Sequence, residues 1–205
     1  MAEHEALLWS LWILGGFLLG GVMFSELLPK RLVQKDVAQL SPDRNPGASN
    51  VFLTCGVPMG LLCLGLDMLK GFLPVYFACQ TMDLARGQFA LVLAAPVLGH
   101  ALAPLNHFHG GKCIATAFGE MIALLPVTRI GLCLAGLYIF FSVVVRIKPN
   151  RVRSIVAFTL FGLVSVAWGL MVQWYSLAAG CGLISLIAVL RHTRRFSTVP
   201  ADEKK

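Results

Sequence analysis

The chain has 205 residues, 57% of them hydrophobic and 13% charged, with a mean hydropathy of +0.76. Soluble globular domains carry about a quarter charged residues, so the composition excludes that class and implies a polytopic membrane protein. The formal charge of +7 does not imply a nucleic-acid partner, because the basic residues fall in short links between apolar runs, as in cytoplasmic loops beside anionic headgroups.

Taken in order, Ala6–Leu28 is predicted as a membrane helix with a small-residue packing face of Gly15, Gly16, Gly20 and Gly21. Its acidic flank, Glu3 and Glu5, is not that of a cleavable signal peptide. Lys30, Arg31 and Lys35 follow and assign that end to the cytoplasm. Leu40–Asn50, dense in Pro42, Asp43, Asn45, Pro46 and Gly47, is predicted as a loop. It is either a solvated link or a second set of ligand contacts led by Arg44 and Asn45.

Val51–Gln80 is long and apolar, with breaks expected near Gly56–Pro58 and Gly71–Pro74. Asp67 and Lys70 share one helix face and are expected to pair, as a tie between helices rather than as catalysts. Thr81–Arg86 is an outside link, and Gly87–His100 is the next helix. Ile114–Leu125 is too short to cross about 30 Å of hydrocarbon unaided. Ile130–Val145 returns to a basic stretch with Arg146, Lys148, Arg151 and Arg153. Ser154–Val172 goes out, Gln173–Ser176 turns at an aromatic interface, and Leu177–Leu190 comes back. The expected fold is an all-α membrane helix bundle of about seven segments, with the N-terminus outside and the C-terminus cytoplasmic. It forms one domain over residues 1–190, followed by a basic tail over 191–205. With this topology Leu40–Asn50, His100–Thr116 and Arg146–Ser154 share the cytoplasmic face.

Gly99–Gly119, GHALAPLNHFHGGKCIATAFG, holds three of the five histidines between membrane-length segments. Polar, glycine-rich chain at that depth is tolerated where it lines a cavity or a wet interface, so the stretch marks a site. Gly110 and Gly111 are expected to let the backbone approach a ligand, and Lys112 stands before a helix start suited to an anion. His192, Arg191, Arg194 and Arg195 are read as flanking or headgroup contacts. The six cysteines show no metal or disulfide spacing and read as small apolar packing residues. Neither metal nor cofactor is expected, since carboxylate clusters, HExxH and Walker-type loops are missing from the sequence. A cationic, neutral-polar pocket at a membrane surface suits a phosphorylated small molecule beside a lipid tail.

These motifs resemble those of the bacterial integral-membrane glycerol-3-phosphate acyltransferases that use acyl phosphate. GHALAPLNHFHGGKCIATAFG is similar to the family's GHxFPxxxxFKGGKGVATxxG, NPGASNVF to NxGATNxxR, and LDMLKGFLP to LDxxKGxxP. LLGGVMFSE resembles the ending of the family's first helix, and RVRSIVA weakly resembles R-x-x-S-L-x-S. The resemblance implies acyl transfer from acyl phosphate to the 1-hydroxyl of glycerol 3-phosphate, giving lysophosphatidate. It implies catalytic roles for His100, Lys112 and Asn45, and substrate contacts from Asn50, Gly110, Gly111, Thr116, Arg151 and Ser154, with Arg44 standing in for a lost arginine. It also implies a bacterial inner-membrane protein with its site on the cytoplasmic side and membrane lipids around it, for which a monomer suffices. The sequence departs from the family at the site. Pro42, Asp43 and Arg44 replace Gly-Ser-Gly, His109 replaces lysine, Cys113 replaces glycine, and Ala157 replaces serine. The alternatives are a relative that binds phosphorylated lipid precursors without turnover or with another substrate, and a small-molecule transporter.

Overall fold

A computed structural model describes residues 2–193 of the protein; the expected tail contacts of Arg194 and Arg195 lie outside them. The described chain is all-helical. Helix α1 (Ala2–Gly20) is followed by α2 (Phe24–Leu32), α3 (Val37–Leu40), α4 (Ala48–Cys55), α5 (Val57–Thr81) and α6 (Gln88–Leu102). After a 3-10 turn at Pro104–Asn106 come α7 (Ile114–Ala123), α8 (Ile130–Ile139, prolonged by a π turn over Phe140–Val144), α9 (Asn150–Met171) and α10 (Tyr175–Thr193). Four helices have the length and apolarity of a membrane span, or five if α1 and α2, bent by 46°, count as one. The α7 segment and the α8 segment are apolar but shorter.

The single first helix expected from the sequence is thus divided at Gly21–Met23. Lys70 holds the break, donating to the Val22 carbonyl at 2.5 Å. The expected pairing with Asp67 is present at 2.9 Å, both side chains buried, and Ser25 donates to the other Asp67 oxygen at 2.5 Å. The pair therefore ties α5 to the α1–α2 joint. Of the two breaks expected after Val51, the one at Gly56 occurs, where φ is +85° and glycine avoids a Cβ clash. The one at Gly71–Pro74 does not, and α5 continues through it. Packing overrides the local signal. A Cβ at Gly71 would lie 2.2 Å from the Thr116 carbonyl of α7, and Pro74 packs on Gly16 of α1. Similar backbone approach joins α1 to α6, where a Cβ at Gly20 would lie 2.2 Å from the Pro96 carbonyl.

The core gathers around α6, whose Phe89, Val92, Leu93 and Val97 meet Phe158, Phe161, Leu177 and Ile184 of α9 and α10. One end of the bundle is closed by Arg86 on Glu5 at 3.2 Å and by Trp174 and Ser176 donating to the Leu84 carbonyl. The opposite end carries the polar segments singled out in the sequence. Helix α10 runs past residue 190 to Thr193, so Arg191 and His192 belong to the bundle rather than to a tail.

Candidate active site

At that end the 41–47 loop and the 103–113 loop meet. Asp43 forms an ion pair with Lys112. Its other oxygen accepts from Asn50 Nδ2 at 2.8 Å and from the Asn45 backbone amide at 3.3 Å. Asn50 Nδ2 also donates to the Asn45 carbonyl at 2.7 Å. Four residues separated in sequence thus form one polar cradle. Burial pushes the Asp43 carboxyl up, but the hydrogen bond and charge of Lys112, with Asn50 and the Asn45 amide, outweigh it and hold it below its ordinary value. Asn45 is buried, and its Oδ1 has no partner. The cation beside Asp43 is thus Lys112, although Arg44 is its neighbour in the chain.

The 103–113 loop is conformationally demanding. Ala103, His107, Phe108 and Cys113 all have φ between +44° and +66°, a region L-residues rarely occupy and one concentrated at functional sites. Cys113 at +66° explains why glycine is favoured at that position in the motif it resembles, and its buried thiol packs against the Val97 carbonyl.

Gly110 and Gly111 let two stretches of the chain approach each other closely. A Cβ at Gly110 would lie 2.1 Å from the Ala101 carbonyl, and one at Gly111 would lie 2.2 Å from His100 Nε2. The close approach is therefore internal. The Gly111 amide donates to the His100 carbonyl at 3.1 Å and is not offered to an anion. Both glycine carbonyls accept from the Arg191 guanidinium, Gly111 from Nε at 3.0 Å. His100 is buried behind this turn, and its Nδ1 has no partner.

Beside the cradle opens a cleft of about 1230 Å³, lined among others by Lys30, Arg44, Asn106, His109, Gly110 and Arg191. Its wall carboxylates are tied down. Glu26 takes Lys30 at 2.5 Å and Asn106 at 2.7 Å, and Asp36 takes Lys30 at 3.2 Å. Thr116 is buried in α7 with its hydroxyl unpartnered. Arg151 donates to the Thr193 carbonyl at 2.7 Å, joining the start of α9 to the end of α10. Ser154 is buried and donates to Asn150 one turn back. Of the residues singled out in the sequence, Arg44 and Gly110 line the cleft, while Lys112, Asn45, Asn50 and Gly111 lie outside its lining, as do Arg151, Ser154, Thr116 and His100.

Two residues that the sequence passed over belong here. Arg191, read as a headgroup contact, supports the glycine turn and lines the cleft. His192, read as a flank, is buried with Nδ1 on the Ala188 carbonyl at 2.7 Å and Nε2 without a partner. It lies within the fields of Lys112, Arg151 and Arg191. The signal for both was position: helical phase carries them one turn past Ile187 and Ala188 onto a packed face. Among the described residues no cluster of His, Cys, Asp or Glu is arranged to hold a metal ion. The site offers cations and amides, which suits phosphate chemistry.

Comparison with known proteins agrees. The family model for glycerol-3-phosphate acyltransferase matches residues 10–200. A glycerol-3-phosphate acyltransferase of Thermotoga petrophila is 32% identical over 90% of this chain and 89% of its own. One of Staphylococcus aureus strain Newman is 29% identical over 94% of each. The fold is similar to crystal structures of PlsY, an integral membrane glycerol 3-phosphate acyltransferase. Its glycerol 3-phosphate form superposes with a TM-score of 0.74 at 26% identity, covering 88% of this chain and 86% of that one. Its lysophosphatidic acid form gives 0.71 at 27%, covering 89% and 86%.

Proposed function

Since the chain belongs to the glycerol-3-phosphate acyltransferase family, we propose that it transfers an acyl group from acyl phosphate to the 1-hydroxyl of glycerol 3-phosphate. The observation that carries this reading is the Asp43–Lys112–Asn50–Asn45 cradle, a ready-made anion site opening beside a cationic cleft. Each substrate brings a phosphate, and Lys112, Arg44 and Arg191 supply cations for two.

In this reaction the hydroxyl oxygen attacks the acyl carbonyl carbon, the bond from that carbon to the phosphate oxygen breaks, and inorganic phosphate leaves. The donor is already activated, so positioning and charge stabilisation supply the rate and no acyl-enzyme is required. Lys112 holds phosphate and stabilises the leaving charge. Asn45 and Asn50 orient it, and the departing phosphate takes the hydroxyl proton. His100, packed under Gly111, acts as a positioning residue for the glycine turn. Gly110 forms part of the cleft wall. Arg151 and Ser154 at the start of α9, and Thr116 in α7, stand behind the cleft wall, where Arg151 joins α9 to the end of α10 and Thr116 packs on α5. The proposed topology has about seven membrane segments, counting the short α7 and α8, with the cleft facing the cytoplasm of a bacterial inner membrane. The Lys and Arg bias of the cleft-side loops supports it.

The test is the purified full-length protein with palmitoyl phosphate and glycerol 3-phosphate. The reading expects phosphate release that depends on the acceptor and disappears in Lys112→Ala. Binding without turnover would make the protein a non-catalytic relative, and uptake into vesicles without acylation would make it a transporter.

A further inference from the structure

The cradle already contains an anion, and that anion is part of the chain. Asp43 takes Lys112 on one oxygen, and Asn50 Nδ2 and the Asn45 amide on the other. These are three donors from three segments converging on a single carboxylate. Burial does not hold Asp43 there. Its side chain is 43% exposed, and it sits on a turn whose flanking residues Pro42 and Arg44 are exposed too. Arg44, in the left-handed region at φ +48°, already lines the cleft. The carboxylates that line the cleft, Glu26 and Asp36, pair with Lys30 instead.

We propose that Asp43 is an internal competitor for the phosphate site, a side chain that fills the cradle between ligands and must swing out before a phosphorylated substrate binds. This deepens the phosphate reading above and rests on it. An occupant that must leave divides the apparent affinity of every incoming anion by one common factor, the fraction of protein with the cradle open. Ligands of high intrinsic affinity still bind. A phosphomonoester carries nearly two charges at neutral pH and several acceptor oxygens. A phosphodiester headgroup carries a single charge, no more than the carboxylate it would replace, and such headgroups crowd the membrane surface. The common factor pushes these weak ligands below occupancy while leaving the substrate bound. Asp43 thus sets an affinity threshold suited to a site beside anionic lipid, and its return helps to expel inorganic phosphate.

The experiment uses full-length protein in neutral detergent, comparing wild type with Asp43→Asn, which keeps size and hydrogen bonding, and with Asp43→Ser, which is small. Binding of inorganic phosphate and of dimethyl phosphate is measured by titration calorimetry, with melting temperature as the check on folding. Both ligands should bind about tenfold more tightly in both variants, the worth of one partly screened charge-assisted hydrogen bond. The KM for glycerol 3-phosphate should fall by a similar factor, without a matching rise in kcat. Unchanged or weaker phosphate binding in a folded variant overturns the proposal. So does a gain confined to the dianion, because through-space repulsion scales with ligand charge and competition does not. The binding arm needs no acyl donor. Tighter phosphate without any turnover would sink the acyltransfer reading alone, and full turnover with unchanged phosphate affinity would sink this one alone.

Discussion

Replacing Lys70 by methionine removes the cation from a site where its side chain and that of Asp67 are 0% and 2% exposed. Asp67 keeps only the Ser25 hydroxyl, and the Val22 carbonyl loses its donor at the α1–α2 break. Removing one partner of a buried pair costs about 3–5 kcal/mol, mostly from the uncompensated charge left behind. The orphaned carbonyl adds about 1 kcal/mol. The double variant Lys70→Met/Asp67→Leu removes both charges and should recover to within about 2 kcal/mol of wild type, since a hydrophobic replacement of a buried pair is often near neutral. Denaturant unfolding of the four proteins in mixed micelles, followed by tryptophan fluorescence, measures the cycle. A coupling of at least about 2 kcal/mol is expected for groups in contact. If Lys70→Met unfolds like wild type, or the double variant loses the sum of the two singles, the pair is not what holds the joint.

Three further outcomes follow from the site. Gly111→Ala places a methyl 2.2 Å from His100 Nε2, so turnover should fall about a hundredfold through displacement of the turn, with helicity by circular dichroism retained; adding His100→Ala should restore part of it. Arg191→Gln loses the charged donors to the Gly110 and Gly111 carbonyls and should raise the KM for glycerol 3-phosphate about tenfold; a KM equal to that of wild type would show that the turn stands without this support. The Asp43 carboxyl is held below its ordinary 3.8, so its tie to Lys112 contributes stability above that pH and loses it as pH falls through the lower folded value. The melting-temperature difference between wild type and Asp43→Asn should accordingly be constant from neutral pH down to about 3.8 and close below it.

Membrane class, helical character and the two polar loops were legible because each rests on local composition. Long apolar runs admit few structures, and Pro42–Gly47 cannot continue a helix. The Asp67–Lys70 pair was legible because three residues along a helix is contact distance. What escaped depended on contacts distant in sequence. Pro74 promised a break that Gly16 and Thr116 suppress by packing. Arg44 was the nearest cation to Asp43 along the chain, yet Lys112, sixty-nine positions away, takes it. The glycine pair was marked in the sequence for approach to a ligand; what needed coordinates is that its missing side chains also make room for His100 and Ala101. Arg191 and His192 were lost to a boundary set one turn early, where hydropathy fades before the helix does.

The brevity of α7 has an outcome beyond the site. Its 10 residues rise about 15 Å, half the thickness of ordinary hydrocarbon, and the turn beyond it carries the exposed Arg129. In the topology proposed above, where α7 counts as a segment, acyl chains along that edge pinch inward or the guanidinium snorkels, and either adjustment is a mismatch strain. Bilayers of short-chain lipids relieve it, so the protein should partition into thin membrane in preference to thick.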